Sequence, residues 1–457
     1  MTSPPLVFAD PPHLDPQRRR IAEMWRADET ARGEALIAEL GTAPEARARI
    51  EARAVALVEE VRRRSAAVGG LDAFLHEYDL SNREGVALMC LAEALLRIPD
   101  ARTADLLIAD KLLDGDWEGH LGHSGSPFVN ASTWALMLTG RLLRPDEDRD
   151  LGAVFRGLAA RGGRPVVRRA VLQAMRIMGG QFVMGRTIGE ALKSAGEAER
   201  AGYRFSYDML GEGARTEHDA ERYTAAYAGA IDAIGRAARG GDVFARPGIS
   251  VKLSALHPRY RYAQRDRVMA ELVPRLRDLA RAARGHGIGL TVDAEEADRL
   301  DLSLDVFASL CGDPTLAGWD GFGLALQAYQ KRAPFVLDWL VELAAEHRRR
   351  IPVRLVKGAY WDAEIKRSQI AGHDAYPVFT RKQATDVSWL CCARRMLGLR
   401  DRLYPQFATH NAHSVAAVLD YAGDDRRGFE FQRLYGMGEA LHDQLVAPEG
   451  APEGQGG

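Results

Sequence analysis

From Gly202 onward, short β-rich runs alternate with amphipathic helical stretches, and a chain patterned in this way buries both kinds of element only as a parallel sheet flanked by helices. The runs are Tyr203–Met209, Gly248–Leu253, Ile288–Val292, Gly321–Leu326, Pro352–Lys357, Gln406–His410 and Phe429–Leu434. Between them lie helical stretches such as Ala220–Ala238, Ala263–Arg284, Ala333–Arg349 and Val415–Tyr421. No Gly-rich dinucleotide turn follows the first run, so the alternation fits an α/β fold of the distorted TIM (β/α)8 type better than a doubly wound sheet. Seven βα starts are countable, and the eighth unit is missing from the pattern.

Upstream the texture is helical. Residues 1–65 read as a charged arm of two helices (Ile21, Met24, Trp25; Leu36, Ile37, Leu40) interrupted at Gly41 and Pro44, with too little core to stand alone. Residues 66–200 read as an all-helical domain, with a capping-box pattern at Ser81 and Glu84. The barrel occupies 201–445. The segment 446–457, with its Ala-Pro-Glu-Gly repeat, reads as a flexible tail.

Charge and cysteine usage exclude several classes of function. The 61 basic and 63 acidic residues leave a formal charge of −2, which denies the chain the basic excess of non-specific nucleic-acid binders, so no nucleic-acid partner is expected. Four cysteines without C-x-x-C spacing fit neither zinc nor a disulfide framework. The chain opens with no basic n-region or long apolar stretch, and its most apolar run, Gly85–Leu96, is too short to span a bilayer. A cytoplasmic protein with at most peripheral membrane contact is expected, and the arm is expected to pack on another domain or on a second subunit of a homo-oligomer.

Barrel enzymes place reactive groups at the C-terminal ends of strands. Asp208, Lys252, Asp293 with Glu295 and Glu296, Gln327, Arg354 with Lys357, and His410 with Asn411 end six successive runs. A single such residue is an ordinary solvated strand end, but recurrence across six runs points to one site. Three cations facing carboxylates suggest an anionic ligand or cofactor, with the acids orienting the cations. Other features take plainer readings. His410 and His413 lack a third metal ligand, so no metal is expected; Gly321-Phe-Gly and Gly436-Met-Gly read as turns; His120 and His123 read as local hydrogen bonders. Cys391 and Cys392 read as buried and inert.

The strings Ser206-Tyr-Asp-Met-Leu-Gly-Glu, Gly248-Ile-Ser-Val-Lys-Leu-Ser-Ala-Leu-His-Pro-Arg-Tyr, Asp293-Ala-Glu-Glu, Gln327-Ala-Tyr-Gln-Lys-Arg, Arg354-Leu-Val-Lys-Gly-Ala-Tyr-Trp-Asp and Ala408-Thr-His-Asn-Ala-His closely resemble the proline dehydrogenase part of the bacterial proline utilization A proteins. The resemblance runs from Gly202 to Gln444. Glu84–Asp100 and Gln181–Leu192 resemble the helical domain that precedes it, and the arm matches weakly.

The resemblance implies FAD-dependent oxidation of L-proline to pyrroline-5-carboxylate, with electrons passed to a quinone. It implies that Lys252 pairs with the substrate carboxylate, Asp293 holds the charged pocket in register and Tyr360 packs on the pyrrolidine ring. Arg354 sits at the flavin N5 edge and Gln327 at the isoalloxazine in this picture. Lys357, Gly358, Trp361, Thr380, Thr409, His410 and Asn411 bind the rest of FAD, and Asp208, Met209 and Leu434 line the pocket.

The family's barrel closes with an eighth strand and a helix bearing an Arg-Arg pair on the substrate carboxylate. This sequence stops before either, and the aldehyde dehydrogenase module and N-terminal ribbon-helix-helix segment have no counterpart in it, so it reads as C-terminally truncated. Two alternatives stay open on the residues: a Schiff-base aldolase using Lys252, and a non-catalytic incomplete barrel serving as a structural unit.

Overall fold

The computed structural model describes residues 15–67, 183–210 and 213–446. The chain divides into two compact units, one of residues 1–57, 187–433 and 442–457, the other of residues 58–186 and 434–441. Ser81, Glu84, His120, His123 and Cys90 lie outside the described residues, as does nearly all of the expected helical domain.

Three helices open the described residues where the sequence pattern suggested two: α1 (Pro16–Glu23), α2 (Glu29–Leu40) and α3 (Pro44–Ala67), the last crossing from the first unit into the second. The extra one is set by local chemistry. Asp15 accepts the Arg18 N–H and Pro16 supplies a preset φ at the first helical position, while Asp28 caps α2 and Gly41, at φ 43°, ends it. After α4 (Ile188–Arg200), strand and helix alternate: β1 (Ser206–Asp208), α5 (Glu217–Ala237), β2 (Gly248–Val251), α6 (Leu253–Leu256), α7 (Arg265–His286), β3 (Gly289–Val292), α8 (Leu300–Cys311) and β4 (Phe322–Gln327). Then come α9 (Ala333–Glu346), β5 (Ile351–Val356), α10 (Trp361–Ile370), α11 (Lys382–Gly398), β6 (Leu403–Ala408), α12 (Ala412–Ala422) and β7 (Glu430–Gln432).

The seven strands form one parallel sheet in the order β1 to β7, so each βα unit adds its strand beside the previous one. Helices cover the outer face. Apolar residues of β2 to β6, such as Ile249, Leu290, Leu324, Val353 and Phe407, are nearly or fully buried, with α7 packed against β3 and α11 against β5 and β6. β4 is buried at all six positions, as expected of a central parallel strand covered on both sides.

The Gly321-Phe-Gly segment leads into and lies partly within β4 rather than forming a turn. A Cβ on Gly323 would lie 2.5 Å from the Pro352 carbonyl oxygen of the neighbouring strand, so the close approach of β4 and β5 requires glycine there.

The arm docks on this same unit. Leu36 packs with Phe379 and Cys391, and Ile50 with Ala416 and Ala417. Arg18, almost fully buried, donates to the Asp301 carbonyl, pairs with Asp305 at 2.9 Å and lies over Trp339. Trp25 covers the buried Arg332 guanidinium at 4.1 Å, which in turn pairs with Asp301 at 2.7 Å. The arm thus supplies a buried cation to barrel carboxylates and an aromatic cover to a buried barrel cation. Cys391 and Cys392 are buried, and burial raises both thiols, the first to about 12.

Candidate active site

Sheet alternation sends one set of side chains into the curl of the sheet, and this lumen is polar. Register places Arg354 opposite Ala325 on one side and Gln406 on the other, with Gln406 opposite Glu430 and Asp208 opposite Ser250. Arg354 occupies the interior of β5 rather than its end. Its guanidinium donates from Nη1 to Asp293 Oδ1 (2.9 Å) and Ser250 Oγ (3.0 Å), from Nη2 to Ser206 Oγ (3.0 Å), and from Nε to Gln432 Oε1 (2.8 Å). One side chain from β5 therefore touches β1, β2, β7 and the end of β3, which only a strongly curled sheet permits.

Asp293 joins the two cations of the site. Its second oxygen accepts from Lys252 Nζ at 3.2 Å, and Lys252 reaches Asp208 at 3.3 Å. Lys252 leaves β2 at the start of α6, Asp293 directly follows β3, and Asp208 ends β1, so three consecutive strand ends assemble the cluster. The expected grouping of Lys252, Asp293, Arg354 and Asp208 is what the fold brings together. Met209, half-buried, follows Asp208. Leu434 is exposed and belongs to the second unit. Lys252 donates to two carboxylates, the surroundings of a charge partner rather than of an amine nucleophile.

A second layer orders the loops. Glu295 is buried; it accepts the Ser254 N–H at 3.0 Å and pairs with Arg299 at 2.7 Å, while burial raises its pKa. Gln327, at the end of β4, donates to the Glu295 carbonyl at 2.8 Å and accepts the Ala359 N–H at 3.2 Å, tying the β3 and β5 loops together. Gly358, at φ 143°, lets that loop turn against Tyr329, whose ring a Cβ would strike at 2.4 Å. Tyr360 follows, half-buried, its phenol raised first by burial and then by Glu295, with Lys252 acting in the opposite sense.

The remaining expected cofactor residues line the ends of β5 and β6, and several have local partners. Lys357 pairs with Asp386 at 2.5 Å, where Lys382 also binds. Thr380 donates its N–H and hydroxyl to Glu29 of the arm, at 2.9 and 3.0 Å. Asn411 caps α12 through the Ser414 N–H, and the buried Thr409 hydroxyl accepts the Asn411 N–H. His410 stacks edge-on with His442, and desolvation, then His442 and Arg433, push its pKa down to about 4, so the ring is neutral at neutral pH. Trp361 spends its indole N–H on the Phe379 carbonyl and leaves the residue 42% exposed.

These donors fit a dinucleotide flavin. An exposed aromatic ring suits a nucleobase, Lys357 suits a phosphate, and the Lys252 and Arg354 pair suits the anionic partners of a redox site. Glu29 on Thr380 is the one feature that a cofactor reaching Thr380 would have to displace.

The residues that strand-end reasoning missed are Ser206, Ser250, Gln406, Glu430 and Gln432, all inside strands. The alternating polar side chains of Tyr404 and Gln406 in β6 and of Glu430 and Gln432 in β7 were the available signal.

A parallel βα sheet curled around a strand-end charge cluster is the architecture of a TIM-type barrel enzyme. Comparison with known proteins narrows this. The model for the family described as proline dehydrogenase matches residues 191–453, and one described as the DNA-binding domain of proline dehydrogenase matches residues 70–182. The chain belongs to the proline dehydrogenase family, whose members are flavin-dependent oxidoreductases.

The bifunctional protein PutA of Salmonella typhimurium is 51% identical over 434 residues, covering 94% of this chain and 33% of that protein. A proline dehydrogenase of Deinococcus radiodurans is 27% identical over 290 residues, 62% of this chain and 82% of its own length. A crystal structure of a proline utilization A mutant from Bradyrhizobium japonicum superposes with a TM-score of 0.69 at 50% identity, over 95% of this chain and 42% of that one. The chain spans about a third of the length of the PutA relatives it matches. The second family match covers residues outside the described ones, and the expectation of no nucleic-acid partner rests on net charge alone. Among the described residues, no helix is long and apolar enough to cross a membrane.

Proposed function

We propose that this chain carries the oxidation of L-proline to pyrroline-5-carboxylate with FAD as its cofactor and a quinone as the eventual electron acceptor. The observation that supports it is the Lys252–Asp293–Arg354 cluster at the strand ends of a proline dehydrogenase family barrel. FAD, when bound, supplies the two-electron acceptor. The chain's own residues bind, orient and shield.

Lys252 offers the ammonium for the substrate carboxylate, and Asp293 fixes that ammonium and Arg354 in one frame. Tyr360 packs on the pyrrolidine ring, with Asp208 and Met209 completing the pocket. Arg354 and Gln327 face the flavin ring. Trp361, Lys357, Gly358, Thr380, Thr409, His410 and Asn411 hold the remainder of the dinucleotide. Oxidation removes a hydride from the ring carbon bonded to nitrogen and a proton from that nitrogen, so no protein nucleophile takes part. A quinone is a membrane solute, so electron delivery implies a cytoplasmic protein that touches the membrane surface.

Anaerobic titration tests this reading. Purified protein, incubated with FAD and desalted, should keep flavin absorbance near 450 nm, as oxidised flavins do in general, and L-proline should bleach it. A preparation that keeps no flavin removes the cofactor assignment. Flavin that is retained and not bleached by L-proline removes the substrate assignment.

A further inference from the structure

Beneath Arg354 the lumen holds an acid to which the proposed function gives no role. Glu430, on β7, accepts from Gln432 Nε2 at 2.6 Å, from Gln406 Nε2 at 2.9 Å and from Tyr404 OH at 3.2 Å. Burial pushes its pKa up, and these three donors and Arg354 oppose the rise. We propose that Glu430 is a positioning residue for Arg354, acting through the side-chain amide of Gln432.

An amide has one donor end and one acceptor end. Which end faces Arg354 depends on what faces the other. Glu430 offers only an acceptor to Gln432, so the Gln432 nitrogen turns toward the acid and its oxygen toward Arg354 Nε, 2.8 Å away. With Nε taken by Gln432, and the two Nη atoms by Asp293, Ser250 and Ser206, the guanidinium plane is fixed on every edge. An amide at position 430 would present one oxygen to three donors. The Gln432 side chain could then reverse and set an N–H against the guanidinium, freeing Arg354.

This deepens the proposed FAD-dependent reading of the site, and one of its two measurements needs no flavin. In flavin-free protein, the Arg354 Nε–H is followed by NMR, assigned by its loss in Arg354→Lys. Its exchange with solvent should quicken at least tenfold in Glu430→Gln and in Gln432→Leu, with no further gain in the double variant.

In FAD-loaded protein, both variants should lower the flavin midpoint potential, by about 30 mV for each tenfold loss of reduced-flavin stabilisation in a two-electron couple. The sign discriminates between mechanisms, because removal of a negative charge that acted directly on the flavin would raise the potential. Unchanged Nε–H exchange in Glu430→Gln, additive effects in the double variant, or a raised potential each overturns the proposal. Should Glu430→Gln fail to fold, Gln432→Leu carries the test, and exchange unchanged in that variant overturns it equally. A wild type that keeps no FAD removes the proposed function while the exchange measurement still decides the positioning.

Discussion

Asp293→Ala is the most informative perturbation of the cluster, because this carboxylate pairs with both Lys252 and Arg354. Its side chain is 13% exposed, against 23% for Lys252 and 15% for Arg354. Breaking a fully buried charge pair costs about 3–5 kcal/mol, and the residual solvent here reduces the expected loss to about 2 kcal/mol. At about 2–4 °C per kcal/mol for a domain of this size, the melting temperature should fall by about 6 °C.

Arg354 keeps Ser206, Ser250 and Gln432 in the variant, while Lys252 keeps Asp208 and loses its tie to Arg354. The half-saturating proline concentration for flavin bleaching should therefore rise about tenfold, equivalent to about 1.4 kcal/mol. Asp208→Ala is the control, since its carboxylate is 39% exposed and sits 3.3 Å from Lys252, an arrangement worth about 1 kcal/mol or less. Thermal melting and anaerobic titration of the three proteins decide the matter. If Asp208→Ala costs as much stability as Asp293→Ala, or if Asp293→Ala leaves both quantities at wild-type values, the assignment of Asp293 as the common anchor is wrong.

Burial raises the pKa of Glu364, whose carboxylate accepts the Ala297 N–H at 2.7 Å, so the folded chain binds more protons than the unfolded one just above pH 4.5 and stability falls as pH rises through that window. Glu364→Gln should remove this loss, seen as a melting temperature that improves relative to wild type more at pH 7 than at pH 4.5. Gly323→Ala should destabilise by about 1–3 kcal/mol, because its Cβ meets backbone of β5 rather than a movable side chain; an unchanged denaturation midpoint would contradict that geometry. Glu29→Ala should tighten FAD binding about threefold, the equivalent of one exposed hydrogen bond at about 0.7 kcal/mol, if the cofactor uses Thr380, and fluorescence titration of FAD measures it.

The barrel was legible because its strands are short apolar runs between helices with clear stop signals, such as Gly287 at φ 66° after α7. The cluster was legible because Lys252, Asp293 and Asp208 break those runs at their ends, where a side chain leaves the apolar layer. The lumen was not. Gln406, Glu430 and Gln432 lie in strands whose inward face is polar, and such strands give a weak apolar signal. Helices α8 and α10 also escaped notice. The first opens with the strand-like alternation Leu300-Asp-Leu-Ser-Leu-Asp, and the second carries Asp362, Glu364, Lys366 and Arg367 within ten residues. The pairing of Glu29 with Thr380, 351 positions apart, has no local signature at all.

The order of bond lengths and exposures around Lys252 carries one further consequence for binding. The ammonium already has two carboxylates, so a substrate carboxylate competes with both of them for it. Asp293 is the poorer candidate for release, since leaving would also strip Arg354 of its charge partner inside the lumen. Asp208 is more exposed and makes the longer contacts, at 3.3 and 3.5 Å, so its own hydration offsets most of what it gives up. Proline binding in the proposed reading is then a swap of Asp208 for the substrate carboxylate on a Lys252 that Asp293 holds still. On that account Asp208→Asn weakens the competitor and should lower the proline requirement by a factor of about three, for about 0.7 kcal/mol of lost competition, whereas Asp293→Ala raises it. Opposite signs from two aspartates on one lysine separate exchange from simple charge attraction, under which removing either acid would strengthen binding.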